Sequence, residues 1–330
     1  MATQIPLYRA TVIRNFYVLI LVAGWDSGGG VEAVQTVVRR AVARGHQVRV
    51  LGTEGLRSRF ESAGAGFRVY RHAPDNDSRR AETDLIKDWE ARTPLGVFAR
   101  VRDRVMFGPA RQFCRDVVEE LDREPADVVV VDTLIPAALS GAEAAGVRSV
   151  LLMHGTYLLP RAGAPPFGMG FLPARGSLGR LRDRAAWSLT MALFRTGMPA
   201  LNQARAEFGL TPLRNPDELA ATAERILVCT SPSFDFAADA VAGNVRYVGP
   251  QLDDAGGGAW EDPWPGAADR PAGPGRLERH RDAPGGPAAA SRRRPRTAPG
   301  SRADDHRPRG RRRGDPRPAE RCGPAVGPPR

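Results

Sequence analysis

The sequence predicts an α/β fold organised around a single doubly wound parallel sheet, and three observations carry that prediction. Residues 17–23 form a continuous apolar run, the pattern of a strand buried on both faces. Residues 31–43 then place Val34, Val37, Val38 and Ala41 along one helical face, with Gly45 to close the helix. Between the two the chain passes through Gly24, Gly28, Gly29 and Gly30, and the run HQVRVLG that follows completes a βαβ unit with a glycine-rich first turn.

The alternation continues along the chain. GLRSRFESAGAGFRVY reads as a short helix, a turn and a third strand, and residues 109–123 as an amphipathic helix. ADVVVVD is a strand ending on Asp132, residues 136–145 a helix, and RSVLLMH a strand ending on His154. ERILVCTS and VRYVGP supply the last two strands. Ligands of such sheets bind beyond the carboxyl ends of the strands. Two long connections, the polar residues 71–94 and the Gly- and Pro-rich residues 155–177, are expected to wall a cleft there. The expected plan is an extension at 1–14, the α/β domain at 15–250, a linker at 251–265 and a tail at 266–330, with no internal repeat.

Composition sets bounds. A chain of 330 residues has the length of two ordinary domains. Residues 266–330, however, hold 17 Arg, 12 Pro, 10 Gly and no aromatic residue. Such a stretch buries too little apolar surface to offset the entropy of ordering it, so it is expected to be disordered. With 7 acidic residues against its arginines, the tail carries +10 of the formal +11 charge, which leaves residues 1–265 nearly neutral. An arginine-rich tail without aromatic side chains is expected to bind no nucleic acid specifically. Cys114, Cys229 and Cys322 are too scattered for a disulfide framework or a metal site and suit a reducing cytosol. NFYVLILVAGW precedes a helix pattern rather than an A-x-A-like cleavage site, and no run of ~18 apolar residues exists. A cytoplasmic protein with no membrane partner is therefore expected.

The glycine turn admits several readings. Glycines after a first strand let a ligand or another backbone approach, and the next helix offers free N–H groups to an oxygen. The spacing does not spell G-x-G-x-x-G, although Glu54 after the second strand would suit a ribose, and no G-K-[ST] follows. A plain tight turn remains the alternative.

Longer stretches narrow the choice. WDSGGG with RRAVARGHQVRVLGTEGLRSRFESAGAGFRVYRHAP, DWEARTPLGVFARVRDRVMFGPA, EPADVVVVD, PPFGMGFLPARG, and NVRYVGPQLDD with WEDPWP together resemble the N-terminal half of bacterial UDP-glycosyltransferase-like enzymes. These are of the GT-B type that glycosylates small molecules such as macrolides, and the resemblance runs in order from about residue 15 to 265. It implies a Rossmann-like acceptor-binding domain, a small-molecule acceptor, and a UDP- or TDP-sugar co-substrate with no bound cofactor or metal. It also implies an inverting transfer in which a histidine after the first strand takes the acceptor proton, steadied by an aspartate at the end of a later strand. Asp132 matches the aspartate. Gly30 stands where the family has that histidine, or in some members an asparagine, so Asp132 is expected to act without its usual partner. Trp25, Asp26, Gly28, Gly29, Gly30, His154 and Tyr157 are the expected acceptor-binding residues. Packing roles for Trp25 and His154, and a helix-cap role for Asp132, stay open. A non-catalytic small-molecule binder and an NAD(P)-dependent oxidoreductase are the alternative functions, and self-association through an exposed domain interface is expected.

The resemblance also bears on the tail, where a nucleotide-gripping donor domain should begin. Of 48 basic residues only Lys87 is lysine, a bias that suggests G+C-rich coding. With permitted codons, AGPGRLERH shifted by one base reads RVLVGLSA, which begins as a parallel strand should. Residues 301–326 shifted likewise resemble a later piece of the donor domain. The tail is accordingly expected to be a donor domain read out of frame. Sequencing the coding DNA checks this: a one-base correction near codon 270 should open a frame encoding that domain, and a corrected frame without one refutes the reading.

Overall fold

Seven parallel strands form one sheet in the computed structural model, which describes residues 17–77, 81–236 and 241–252. The expected 1–14 extension, most of the linker and the 266–330 tail lie outside the described residues. The strands are β1 (Leu19–Ala23), β2 (Gln47–Gly52), β3 (Gly66–Val69), β4 (Val128–Asp132), β5 (Arg148–Met153), β6 (Arg225–Val228) and β7 (Val245–Tyr247). Their order is β3-β2-β1-β4-β5-β6-β7. The chain therefore winds one way from β1 to β3, crosses back, and winds the other way from β4. The crossover puts β1 beside β4, with Leu21 opposite Val129 and Ala23 opposite Val131. That junction is the topological switch point at which sheets of this kind open a crevice.

Successive residues of the central strands enter different cores. Leu21, Ala23, Val129 and Val131 join one cluster with Phe113, Val117 and Leu139, while Val22, Val50 and Leu152 join a second with Val31, Val34 and Val38. Helices cover both faces, which is why the strands read as unbroken apolar runs. Helix α1 (Gly30–Ala43) contributes the valines of the second cluster, and α2 (Arg57–Ser62) adds Phe60. The first cluster is covered by α4 (Ala110–Arg123), α5 (Ala138–Ala144) and α7 (Met198–Glu207), with Phe113, Leu139 and Leu201. The strands and these leading helices fall where the sequence places them. The helices α3 (Pro94–Val101), α6 (Ser177–Arg195), α7 and α8 (Pro216–Ala221) are additional, most of them in a stretch for which periodicity gave no element. Among the described residues no helix is long and apolar enough to cross a membrane.

The two long connections are held by buried polar side chains. Asp116 on α4, almost fully buried, accepts the backbone N–H groups of Arg71, His72 and Ala73 at 2.8–3.1 Å, which fixes the start of the polar connection. The Gly- and Pro-rich connection after β5 is clamped by Asp235. Its carboxylate accepts from the Arg161 guanidinium at 2.6 Å, the Tyr247 hydroxyl at 2.8 Å and the Tyr157 N–H at 3.0 Å. Gln251, which composition puts at the start of the linker, is buried and accepts from Arg40 of α1 at 2.8 Å, so the domain runs past residue 250.

The Arg161 and Asp235 side chains are only 4% and 1% exposed. Truncating the acid strands a guanidinium away from water. Asp235→Ala is expected to lower the unfolding free energy by about 3–5 kcal/mol, read from urea denaturation. Burial opposes ionisation of Asp235, but hydrogen bonds from Arg161, Tyr157 and Tyr247 outweigh it and hold its carboxyl below the usual aspartate value. The clamp's contribution is thus present above the unfolded-state value and is lost as pH falls through the lower folded-state one.

Candidate functional site

The three glycines ahead of α1 do different jobs. Gly28 has φ +69°, a left-handed conformation that L side chains rarely adopt. Its N–H is received by Asp26 Oδ1 at 3.3 Å. A β-carbon at Gly29 would meet nothing. Gly30 has ordinary backbone angles, yet a β-carbon there would overlap Ser27 Oγ and lie 2.7 Å from His154 Nδ1 and 2.8 Å from Cε1. A larger residue at position 30 would have to displace Ser27 Oγ and the ring of His154, which enters from another strand.

Chain topology delivers that histidine. β4 and β5 are parallel neighbours, with Asp132 opposite Leu152, so His154 emerges beside the last residue of β4. The Asp132 side chain is fully buried. Its Oδ1 accepts from the Leu134 N–H at 2.8 Å and from His154 Nε2 at 2.9 Å. With the Asp132 oxygen accepting, Nε2 carries the proton and the neutral ring keeps its lone pair on Nδ1, the atom facing Gly30. Burial disfavours the imidazolium, but the charge of Asp132 and its hydrogen bond more than compensate, so the His154 pKa lies above the ordinary histidine value.

Unpartnered polar atoms gather at the same place. Trp25 Nε1, Ser27 Oγ, Thr53 Oγ1 and Asp132 Oδ2 are buried without a hydrogen bond, and all lie at or just past the carboxyl ends of β1, β2 and β4. Buried polar groups are normally satisfied, so these atoms are candidates for contact with a polar ligand. The polar connection is tied to this turn: Asn76 donates to the Asp26 carbonyl at 3.0 Å and accepts the Leu85 N–H at 3.0 Å. A hollow of about 370 Å³ between Leu19, Val48, Phe67 and Glu124 opens at the opposite, amino ends of β1–β3, away from these groups.

Two expected acceptor contacts are corrected. Trp25 is 1% exposed and packs edge-on against Phe113, with ring centroids 5.7 Å apart, so it belongs to the core, the packing role left open for it. Tyr157 is 8% exposed, lies beneath the Arg161 guanidinium, and gives its backbone N–H to the Asp235 clamp. Asp26, Gly28, Gly29, Gly30, Asp132 and His154 do come together at the switch point. Asp132 is without a histidine from the turn after β1, as expected, and bonds His154 from the end of β5 instead. The signal for that pairing was present: ADVVVVD and RSVLLMH are consecutive strands whose ends a parallel sheet sets side by side. Glu54, the residue that would suit a ribose, is instead engaged by Arg57 at 2.8 and 3.0 Å. Among the described residues no group of acidic, His and Cys side chains could hold a metal. Cys114 and Cys229 are buried, free thiols pushed up to about 12, chiefly by burial, and so unsuited to nucleophilic work.

The structure is a parallel α/β sheet with a histidine–carboxylate pair at its switch point. The chain is 28% identical over 234 residues to 4'-demethylrebeccamycin synthase of Lentzea aerocolonigenes, covering 70% of this chain and 55% of that protein. Among solved structures, the glycotransferase of kitacinnamycin matches with a TM-score of 0.53 at 17% identity over 75% of this chain and 55% of that one. CalG4, the calicheamicin glycosyltransferase, matches with 0.52 at 20% identity over 76% and 56%. No protein-family model matches the chain. The chain spans about half the length of these relatives. In sequence the chain is similar to that synthase, and its α/β fold is that of one part of the two glycosyltransferase structures.

The raised pKa of His154 has a consequence for stability. A group whose folded-state pKa is raised stabilises fully below its unfolded value, and the contribution fades as pH rises through the folded one. Urea midpoints measured from pH 5.5 to 8.5 should therefore fall across the histidine range in the native protein, and Asp132→Asn should flatten that slope.

Proposed function

We propose that the described residues are the acceptor-binding lobe of a nucleotide-sugar-dependent glycosyltransferase, with the switch-point cluster around Asp132 as its reacting centre. The acceptor is a small, largely apolar molecule presenting a hydroxyl group, and the co-substrate is a UDP- or TDP-hexose held by a second lobe. The observation that carries this reading is the gathering of buried, unsatisfied polar atoms and the His154–Asp132 pair beyond the ends of β1 and β4. Its support is the likeness in sequence to an enzyme named as a synthase of 4'-demethylrebeccamycin. An apolar acceptor agrees with the elements that follow the site, since Phe167, Leu172, Leu178 and Leu181 are all more than half exposed on the post-β5 connection and α6.

The chain spans about half the length of its relatives, and we infer that the described residues bind acceptor as half of an enzyme whose turnover needs a second lobe for the nucleotide sugar. Polycyclic aromatic and macrolide aglycones should raise the melting temperature by several degrees, since a ligand at 100 times its Kd adds about 2.7 kcal/mol. Mixtures of the same aglycones with UDP- and TDP-sugars should yield no glycoside. Brisk turnover would overturn the half-enzyme reading, and the absence of any thermal shift across the panel would overturn acceptor binding.

A further inference from the structure

Gly30, at the start of α1, has no side chain, and the geometry shows what stands beside it. Gly30 needs no glycine for its backbone. It needs one because the His154 ring, entering from the end of β5, occupies the volume that a β-carbon would take. The ring is oriented by Asp132, and 13% of the side chain stays open. Among the described residues no protein donor satisfies its Nδ1, and the neighbouring Ser27 hydroxyl, buried, has no partner either. Both atoms crowd the same point over Gly30.

We propose that His154 is the proton acceptor of this site, with Asp132 as its positioning residue, Ser27 as a hydrogen-bond donor to the acceptor oxygen, and Gly30 as the residue that makes room. The proposal rests on the acceptor-lobe reading. One ligand hydroxyl satisfies both orphaned groups: its oxygen accepts from Ser27 Oγ–H while its own proton points at Nδ1. In the complete reaction that oxygen forms the bond to the anomeric carbon of a nucleotide sugar as its proton passes to Nδ1. The bond from that carbon to the diphosphate breaks, and the nucleoside diphosphate leaves with the electron pair. The imidazolium so formed shares its Nε2 proton with the Asp132 carboxylate, which stabilises the new charge, and later releases the Nδ1 proton to solvent.

Two titratable groups that feel Asp132 do not compete for the proton. Cys229, whose thiol feels Asp132, is held neutral chiefly by burial, and so is the Tyr70 phenol, which Asp116 and Asp132 push further up. Asp26, buried at the turn, receives the Gly28 N–H.

Two measurements on the full chain test the proposal. Long-range ¹H–¹⁵N correlation spectra should find neutral His154 protonated on Nε2 and bare on Nδ1, with a pKa that drops in Asp132→Asn. An Nδ1-protonated ring, or a pKa indifferent to that change, would overturn it. The second uses 4-methylumbelliferone, a hydroxylated aromatic whose neutral and anionic forms differ in excitation spectrum. Bound to the native protein its hydroxyl should ionise at lower pH than in solution. His154→Gln should abolish that shift with binding retained, and Gly30→Ala, which keeps both Asp132 and His154 in the sequence but displaces the ring, should abolish it too. A shift that survives both variants would overturn the role of His154. Failure of umbelliferone and all other aglycones to bind would instead overturn the acceptor-lobe reading, while the tautomer still decides the histidine–aspartate pairing.

Discussion

A carboxylate sealed inside the protein at the end of β4 is the constraint on which the rest of the site depends. Asp132 is closed off from water, and one of its oxygens has no partner. A charge in that position is tolerable only with strong local compensation, which comes from the Leu134 N–H and from a histidine aligned along the same oxygen. The histidine then needs volume, and the only neighbouring residue that can grant it without distorting the backbone is a glycine at the start of α1. Charge, ring and missing side chain thus form one linked set, contributed by β4, β5 and the turn after β1.

Rigid elements alone do not hold this set. The connection after β3 and the one after β5 lack regular structure over much of their length, yet each is fixed by buried polar side chains. Asp116 and Asn76 take on the first, bonding backbone N–H groups and the carbonyl of Asp26. The Arg161–Asp235 pair takes on the second and recruits both Tyr157 and Tyr247. Such pairs are costly to bury and damaging to break, so they tie local order of the walls to the integrity of the whole fold. Precision in a cleft requires that kind of support, because a misplaced acceptor oxygen loses its alignment with a base.

Constellations of side chains are defined by geometry and role rather than by position in sequence. Here a ring from the end of β5 lies beside Gly30 of the turn after β1.

Much of the architecture was legible from the residues. Unbroken apolar runs such as the one ending at Ala23, and the valine spacing of α1, reflect burial on both sides of a parallel sheet, a property each segment carries locally. Helices α6 and α7 were not legible, because their surfaces are mixed and their stability comes from packing, with α7 buried through Leu201 and Ala204 while α6 keeps Leu178 and Leu181 exposed. For the site, the sequence by itself determined the glycine turn, the acid at the end of β4 and the histidine at the end of β5. Only the tertiary structure decided that Trp25 and Tyr157 are inside, that Asp132 and His154 are a pair, and that the third glycine exists for the ring. The physical reason is that steric need and charge compensation act across strands far apart in the chain, and no local pattern records which neighbour a residue must make room for.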